Sequence, residues 1–152
     1  MFSTGDILLM RRAIAIAMAN LGTTWPNPSV GCVIAKAGEI LAEAATAPGG
    51  RPHAEEQALA ALGDRAIGAT AYVTLEPCGA RSSGHASCAQ RLAGSGVLRV
   101  VIACEDPSPF ASGQGLERLR EAGLAFETGL LADEARVLCA GFVHRLSTGK
   151  PL

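Results

Sequence analysis

"ATAYVTLEPC", residues 69–78, runs from seven residues rich in apolar and β-branched side chains into a glutamate, a proline and a cysteine. A short apolar run bounded by turn residues predicts a strand buried on both faces, and such strands belong to parallel sheets covered by helices. The strand predicted at 69–75 ends on "EPC", and "GARSSGHAS", residues 79–87, follows as a glycine- and serine-rich loop. Beyond it the pattern alternates. A helix is predicted at 88–93, a buried strand at 97–103 ("VLRVVIA"), a loop at 105–114 ("EDPSPFASGQ"), a helix at 115–122, a strand at 124–130 and a helix at 132–146.

The first half reads differently. Residues 6–21 repeat apolar positions at helical spacing, and "TTWPNPS" (23–29) is a turn because its two prolines remove donors and restrict their neighbours. "VGCVIAK" (30–36) and "EILAEAA" (39–45) flank Ala37 and Gly38 as a hairpin. "TAPGGRP" (46–52) is loop, and a helix is predicted from about His53 to Leu62. The expected fold is a single α/β domain over residues 1–152, a three-layer α/β/α sandwich around a mixed five-stranded sheet. In such sheets ligands lie at the carboxyl ends of the parallel strands. "TLEPC" and "ACEDPSP" fall there.

Composition narrows the function. The 152 residues carry 13 basic and 14 acidic side chains, a formal net charge of −1, which supplies no bulk attraction for a phosphate backbone and argues against nucleic acid as a partner. No apolar run approaches the roughly 20 residues that cross a bilayer, and the opening lacks the pattern of a secretion signal. The expectation is a cytoplasmic protein with no membrane partner. Five cysteines, an odd set with no secretion signal, favour metal binding or catalysis over disulfides. Cys32, Cys104 and Cys139 lie in apolar segments and read as buried hydrophobes.

That leaves Cys78 and Cys88, together with His53 in "RPHAEEQALAAL" (51–62). One histidine and two thiolates can hold a zinc ion tetrahedrally with one position open to water, and helix starts stabilise thiolates through their N–H groups. In such a site zinc lowers the pKa of water from about 15.7 towards about 7. Glu55, two residues beyond His53, is placed to move protons, and its neighbour Glu56 is expected to be solvated. A lone His-x-Glu is a weak signal, but joined to Pro77-Cys78 and a second cysteine it forms the signature of the zinc deaminases. Glu76 reads equally well as a pocket wall and as a polar strand end.

"TWPNPSVGCVIAKAGEILAEA", "PGGRPHAEEQAL", "GATAYVTLEPC", "VVIACEDPSP" and "GQGLERLREAGLAFETGLLADEA" together resemble the diaminohydroxyphosphoribosylaminopyrimidine deaminases, the deaminase domains of the bifunctional riboflavin biosynthesis proteins. The resemblance implies a cytidine-deaminase-like fold with one zinc ion per chain on His53, Cys78 and Cys88, and Glu55 as the catalytic proton shuttle. It implies hydrolysis of the exocyclic amine of a small heterocycle, with Asn27, the Ala54 backbone and Asp106 at the substrate. Arg81 and His85 are the candidates for a phosphate, although their loop is one residue longer than the family's and lacks its prolines. The family's "TGxPY", here "TGKPL" (148–152), normally leads into a reductase, so a separate reductase partner is an expectation, as is a homodimer or larger assembly.

Three other readings are open on sequence, the first a deaminase of a different nucleobase or nucleoside, because the loop between Cys78 and Cys88 departs from the family's. An enzyme that edits tRNA would share the signature but should show a basic face. A non-catalytic binding domain would close its zinc with a fourth protein ligand, for which His85 is the candidate.

Overall fold

The β-branched and alanine-rich runs form one sheet, and its strand order explains why the two halves of the sequence read differently. The structure, a computed structural model, describes residues 2–25, 27–79, 86–107, 112–140 and 148. Five strands, β1 (Gly31–Lys36), β2 (Glu39–Ala45), β3 (Thr70–Leu75), β4 (Arg99–Cys104) and β5 (Ala125–Thr128), lie in the order β2-β1-β3-β4-β5. β1 runs antiparallel to both neighbours, with Cys32 opposite Val73, whereas β3, β4 and β5 are parallel, with Val73 opposite Ile102. The hairpin turns through Ala37 and Gly38, both at positive φ, and a register shift between Ile34 and Ala35 bends its inner strand.

Helices cover both faces, as expected of a sheet whose inner strands are apolar on both sides. On one face α1 (Thr4–Ala19) and α5 (Ala132–Arg136) pack Met10, Ala13 and Ala135 onto Val33, Tyr72, Val101 and Ala103. On the other, α2 (Ala54–Leu62), α3 (Cys88–Ala93) and α4 (Gln114–Glu121) pack Ala58, Leu62, Leu92, Leu116 and Leu119 onto Cys32, Ile34, Val73, Val100 and Ile102. The three-layer α/β/α sandwich is the observed architecture.

Differences from the expected elements have local causes. α1 starts two residues before the predicted 6–21, because Ser3 caps it. The Ser3 Oγ accepts from the Asp6 N–H and the Asp6 carboxylate accepts from the Ser3 N–H, each at 3.0 Å, a reciprocal capping box. β5 keeps only four of its seven predicted residues, an edge strand paired on one side. α5 gives way to a 3-10 turn at Val137–Cys139, and residues 141–146 of the predicted last helix lie outside the described residues. Among the described residues no helix is long and apolar enough to cross a membrane.

Candidate metal centre

β3 ends at Leu75, and the chain continues along β4 for one more residue, where the Glu76 N–H donates to the Cys104 carbonyl at 2.8 Å. Pro77 then turns it out of the sheet and Cys78 follows beside the first turn of α3. There the Cys88 N–H donates to the Cys78 Sγ at 3.2 Å and the Ala89 N–H to the Cys78 carbonyl at 3.1 Å. Cys88 itself is the first residue of α3. Its position is fixed by Ser87, whose Oγ accepts from the Gln90 N–H at 3.1 Å while the Gln90 side chain accepts from the Ser87 N–H at 2.8 Å.

His53 enters from the start of α2, and its Nδ1 lies 3.4 Å from the Cys88 Sγ. One ligand atom from each of His53, Cys78 and Cys88 lies within 4.8 Å of the other two. A tetrahedral zinc with bonds of about 2.0–2.3 Å spaces its nitrogen and sulfur ligands roughly 3.5–3.8 Å apart. The donor set and its spacing therefore fit zinc, with three ligands among the described residues.

Glu55 and Glu56 separate in role. Glu55 is 4% exposed and faces the ligand cluster. Burial pushes its carboxyl above the usual carboxylate range, and the nearby Cys78 sulfur pushes the same way, against its own backbone N–H, His53 and a hydrogen bond with Cys88. Glu56, expected to be solvated, instead caps α2 by accepting from the His53 N–H at 3.3 Å, and it pairs with Arg91 at 3.7 Å. The unpaired N–H groups at the helix start attract the nearest carboxylate not claimed elsewhere, which draws Glu56 back from solvent.

A cleft of about 210 Å³ opens over this cluster, lined among others by Asn27, Thr46, His53, Glu55, Cys78 and Asp106. Asn27 is both a turn residue and a cleft residue. Its N–H donates to the Thr24 carbonyl at 3.0 Å, and its side-chain amide donates to the Gly50 carbonyl at 2.7 Å. Gly50 has φ +90, and a Cβ there would fall 2.8 Å from the Asn27 amide nitrogen, so this junction needs glycine. Ala54 lies between His53 and Glu55 with its methyl buried in the core and is not among the lining residues. Arg81 and His85 lie outside the described residues. A larger cavity, about 540 Å³ and lined in part by Cys104, Thr128, Arg136 and Cys139, shares no lining residue with the cleft.

Residues 4–104 match the family described as the cytidine and deoxycytidylate deaminase zinc-binding region. This chain belongs to that deaminase family. The chain is 46% identical over 99% of its length to the riboflavin biosynthesis protein RibD of Haemophilus influenzae, and spans 40% of that relative. It is also 44% identical to the diaminohydroxyphosphoribosylamino-pyrimidine deaminase of Buchnera aphidicola, covering 96% of this chain and 99% of the relative. The solved structure of Acinetobacter baumannii RibD superposes with a TM-score of 0.88 at 44% identity, over 97% of this chain and 41% of that one. The deaminase domain described here thus spans about two fifths of the RibD proteins it matches.

Sequence reading did not assign the contributions of Ser87 and Thr46. The first had a visible signal, since "SCAQ" is a serine followed three residues later by glutamine. Thr46 had none. It is 1% exposed because its Oγ1 accepts from the Val30 N–H at 2.9 Å, a contact made only when the loop folds back onto β1.

Proposed function

We propose that this domain is a zinc-dependent hydrolytic deaminase of a small aminopyrimidine, with diaminohydroxyphosphoribosylaminopyrimidine as the leading substrate. The observation that carries the reading is the convergence of His53, Cys78 and Cys88 at the floor of a cleft with the Glu55 carboxyl buried beside them. When bound there, zinc supplies the Lewis acidity that makes water a nucleophile at neutral pH.

The chain's own residues do the rest. Glu55 takes one proton from the attacking water and passes it to the ring nitrogen next to the carbon under attack. It then relays the second proton to the departing amine. The C–N bond breaks, a C=O bond replaces it and ammonia leaves, so one water is consumed for each amine released. A carboxyl held above its usual range by burial suits this work, because it accepts and returns protons near neutrality.

The Asn27 amide donates to Gly50, which leaves its Oδ1 to accept a hydrogen bond from the ring's amino group. On the family resemblance the Ala54 backbone, although not part of the cleft lining, would lie against the ring, Asp106 in the cleft lining would contact it, and Arg81 and His85 are the candidates for the phosphate. We extend the reading to a cytoplasmic homodimer or larger assembly.

The test is ammonia release by the purified, zinc-loaded protein across phosphorylated and unphosphorylated aminopyrimidines. Turnover of the phosphorylated ribosylaminopyrimidine is the expected result. No ammonia from any member of the panel sinks the deaminase reading, and a preference for unphosphorylated bases sinks the substrate assignment.

A further inference from the structure

Glu76 is 4% exposed and lines the cleft beside Cys78 and Asp106. Its two oxygens face a row of backbone donors. Oε1 accepts from the N–H groups of Asp106 and Gly113, both at 3.1 Å, and Oε2 accepts from Gly115 at 2.9 Å and Leu116 at 3.3 Å. The two oxygens of a carboxylate side chain offer about four acceptor sites, and these four donors match them. A buried polar group is tolerated only when so satisfied.

The arrangement does more than satisfy the acceptors of a buried side chain. One oxygen holds both ends of the segment from Asp106 to Gly113, while the other holds the first turn of α4. α4 in turn rests directly on the strap that carries Cys78. A Cβ at Gly115 would fall 1.7 Å from the Pro77 carbonyl oxygen, and one at Gly79 would fall 2.7 Å from the Gln114 backbone. Arg118 adds a hydrogen bond from its Nε to the Gly79 carbonyl at 3.3 Å.

We propose that Glu76 is a positioning residue, its carboxylate holding the Asp106 wall of the cleft at a fixed distance from Cys78. The proposal rests on the deaminase reading only for its kinetic consequence. A wall that carries a substrate contact and is tied to the strap bearing a metal ligand keeps the ring in register with the reacting centre. A displacement of about 1 Å in such a contact can cost about 100-fold.

Glu76→Gln keeps the shape but replaces one acceptor oxygen by a donor that faces two N–H groups. The expected result is one zinc per chain, KM raised about 10-fold to 100-fold, and kcat changed far less. Asp106→Ala should raise KM to a similar degree, and the double variant should be no worse than the worse single one, because both remove the same contact. A readout independent of turnover is amide hydrogen exchange. In Glu76→Gln it should quicken about tenfold or more at Asp106, Gly113, Gly115 and Leu116, with the amides of β1 unchanged.

Independent, multiplying effects of Glu76→Gln and Asp106→Ala, unchanged exchange at those four amides, or loss of zinc from Glu76→Gln would each overturn the proposal. Where Glu76→Gln does not accumulate as folded protein, Glu76→Asp carries the same measurements, since it keeps the charge and shortens the reach by one methylene. A parent protein that releases no ammonia defeats the deaminase reading instead, and the exchange data then decide the role of Glu76 alone.

Discussion

Glu55 and Glu56 are identical in chemistry and differ by about 100° around α2, and that rotation divides their work. Glu55 turns into the cleft, while Glu56 turns back to cap the helix and reach Arg91. Glu55→Gln should leave zinc binding intact, because the atoms placed to hold the metal belong to His53, Cys78 and Cys88. It should lower kcat by about 10²–10⁴, the usual worth of a general acid–base group. Metal analysis beside single-substrate kinetics checks this, and wild-type kcat in Glu55→Gln would remove the residue from the mechanism. Cys88→Ser should behave oppositely, losing zinc and activity together. The convergence of His53, Cys78 and Cys88, with Glu55 buried beside them, was legible in sequence because metal and proton chemistry restrict residue type and local spacing. Glu76 was not, because the carboxylate's four donors come from residues 30–40 positions away, and no local pattern announces them.

At the level of elements, the strands of the parallel half were readable because burial on both faces leaves a continuous apolar run. "ATAYVTL" and "VLRVVIA" became β3 and β4 within two residues at each end. Helix starts were legible at α2 and α3, which begin within one residue of the predicted 53 and 88. The start of α1 was less so, because the reciprocal bonds between Ser3 and Asp6 begin it two residues before the predicted 6. Close packing between elements was not legible at all. Gly31 lies so near α1 that a Cβ there would fall 1.9 Å from the Ala13 carbonyl oxygen. Backbone cannot yield as a flexible side chain does, so Gly31→Ala should separate α1 from β1 and destabilise the domain by about 1–3 kcal/mol or more. Denaturant titration measures it, and an unchanged midpoint would mean that the helix moves aside freely.

Across the whole molecule, one polar cluster ties α1 to three strands, and the sequence scatters its members over 122 positions from Asp6 to Thr128's neighbour Glu127. The Asp6 carboxylate accepts from Tyr72 on β3 at 2.7 Å and from both terminal nitrogens of Arg99 on β4 at 3.0 Å, and Arg99 also reaches Glu127 on β5 at 2.8 Å from its Nε. The Arg99 hydrogen bonds hold the Asp6 carboxyl well below the usual range, outweighing the effect of burial, with Tyr72 and the Ser3 N–H acting with Arg99. A carboxyl whose folded pKa is depressed contributes stability that is present above its unfolded value, about 3.9, and is lost as pH falls towards the folded value. Tyr72 works at the other limit. Burial, then its hydrogen bond to Asp6, pushes its hydroxyl up to about 12. A raised pKa contributes stability that is complete below the unfolded value of about 10 and is lost as pH rises through about 12. Unfolding free energies of the parent, Asp6→Asn and Tyr72→Phe across pH separate the two effects, because contributions from the metal site cancel in the differences. The gap between the parent and Asp6→Asn should be widest near neutrality and narrow below about pH 4. The gap to Tyr72→Phe, roughly 1–3 kcal/mol for a bond to a charged acceptor, should hold to about pH 10 and close above it. A gap to Asp6→Asn that stays constant down to pH 3 would mean that the unfolded chain holds Asp6 in the same ionised state, and that the cluster does not set the acid limit.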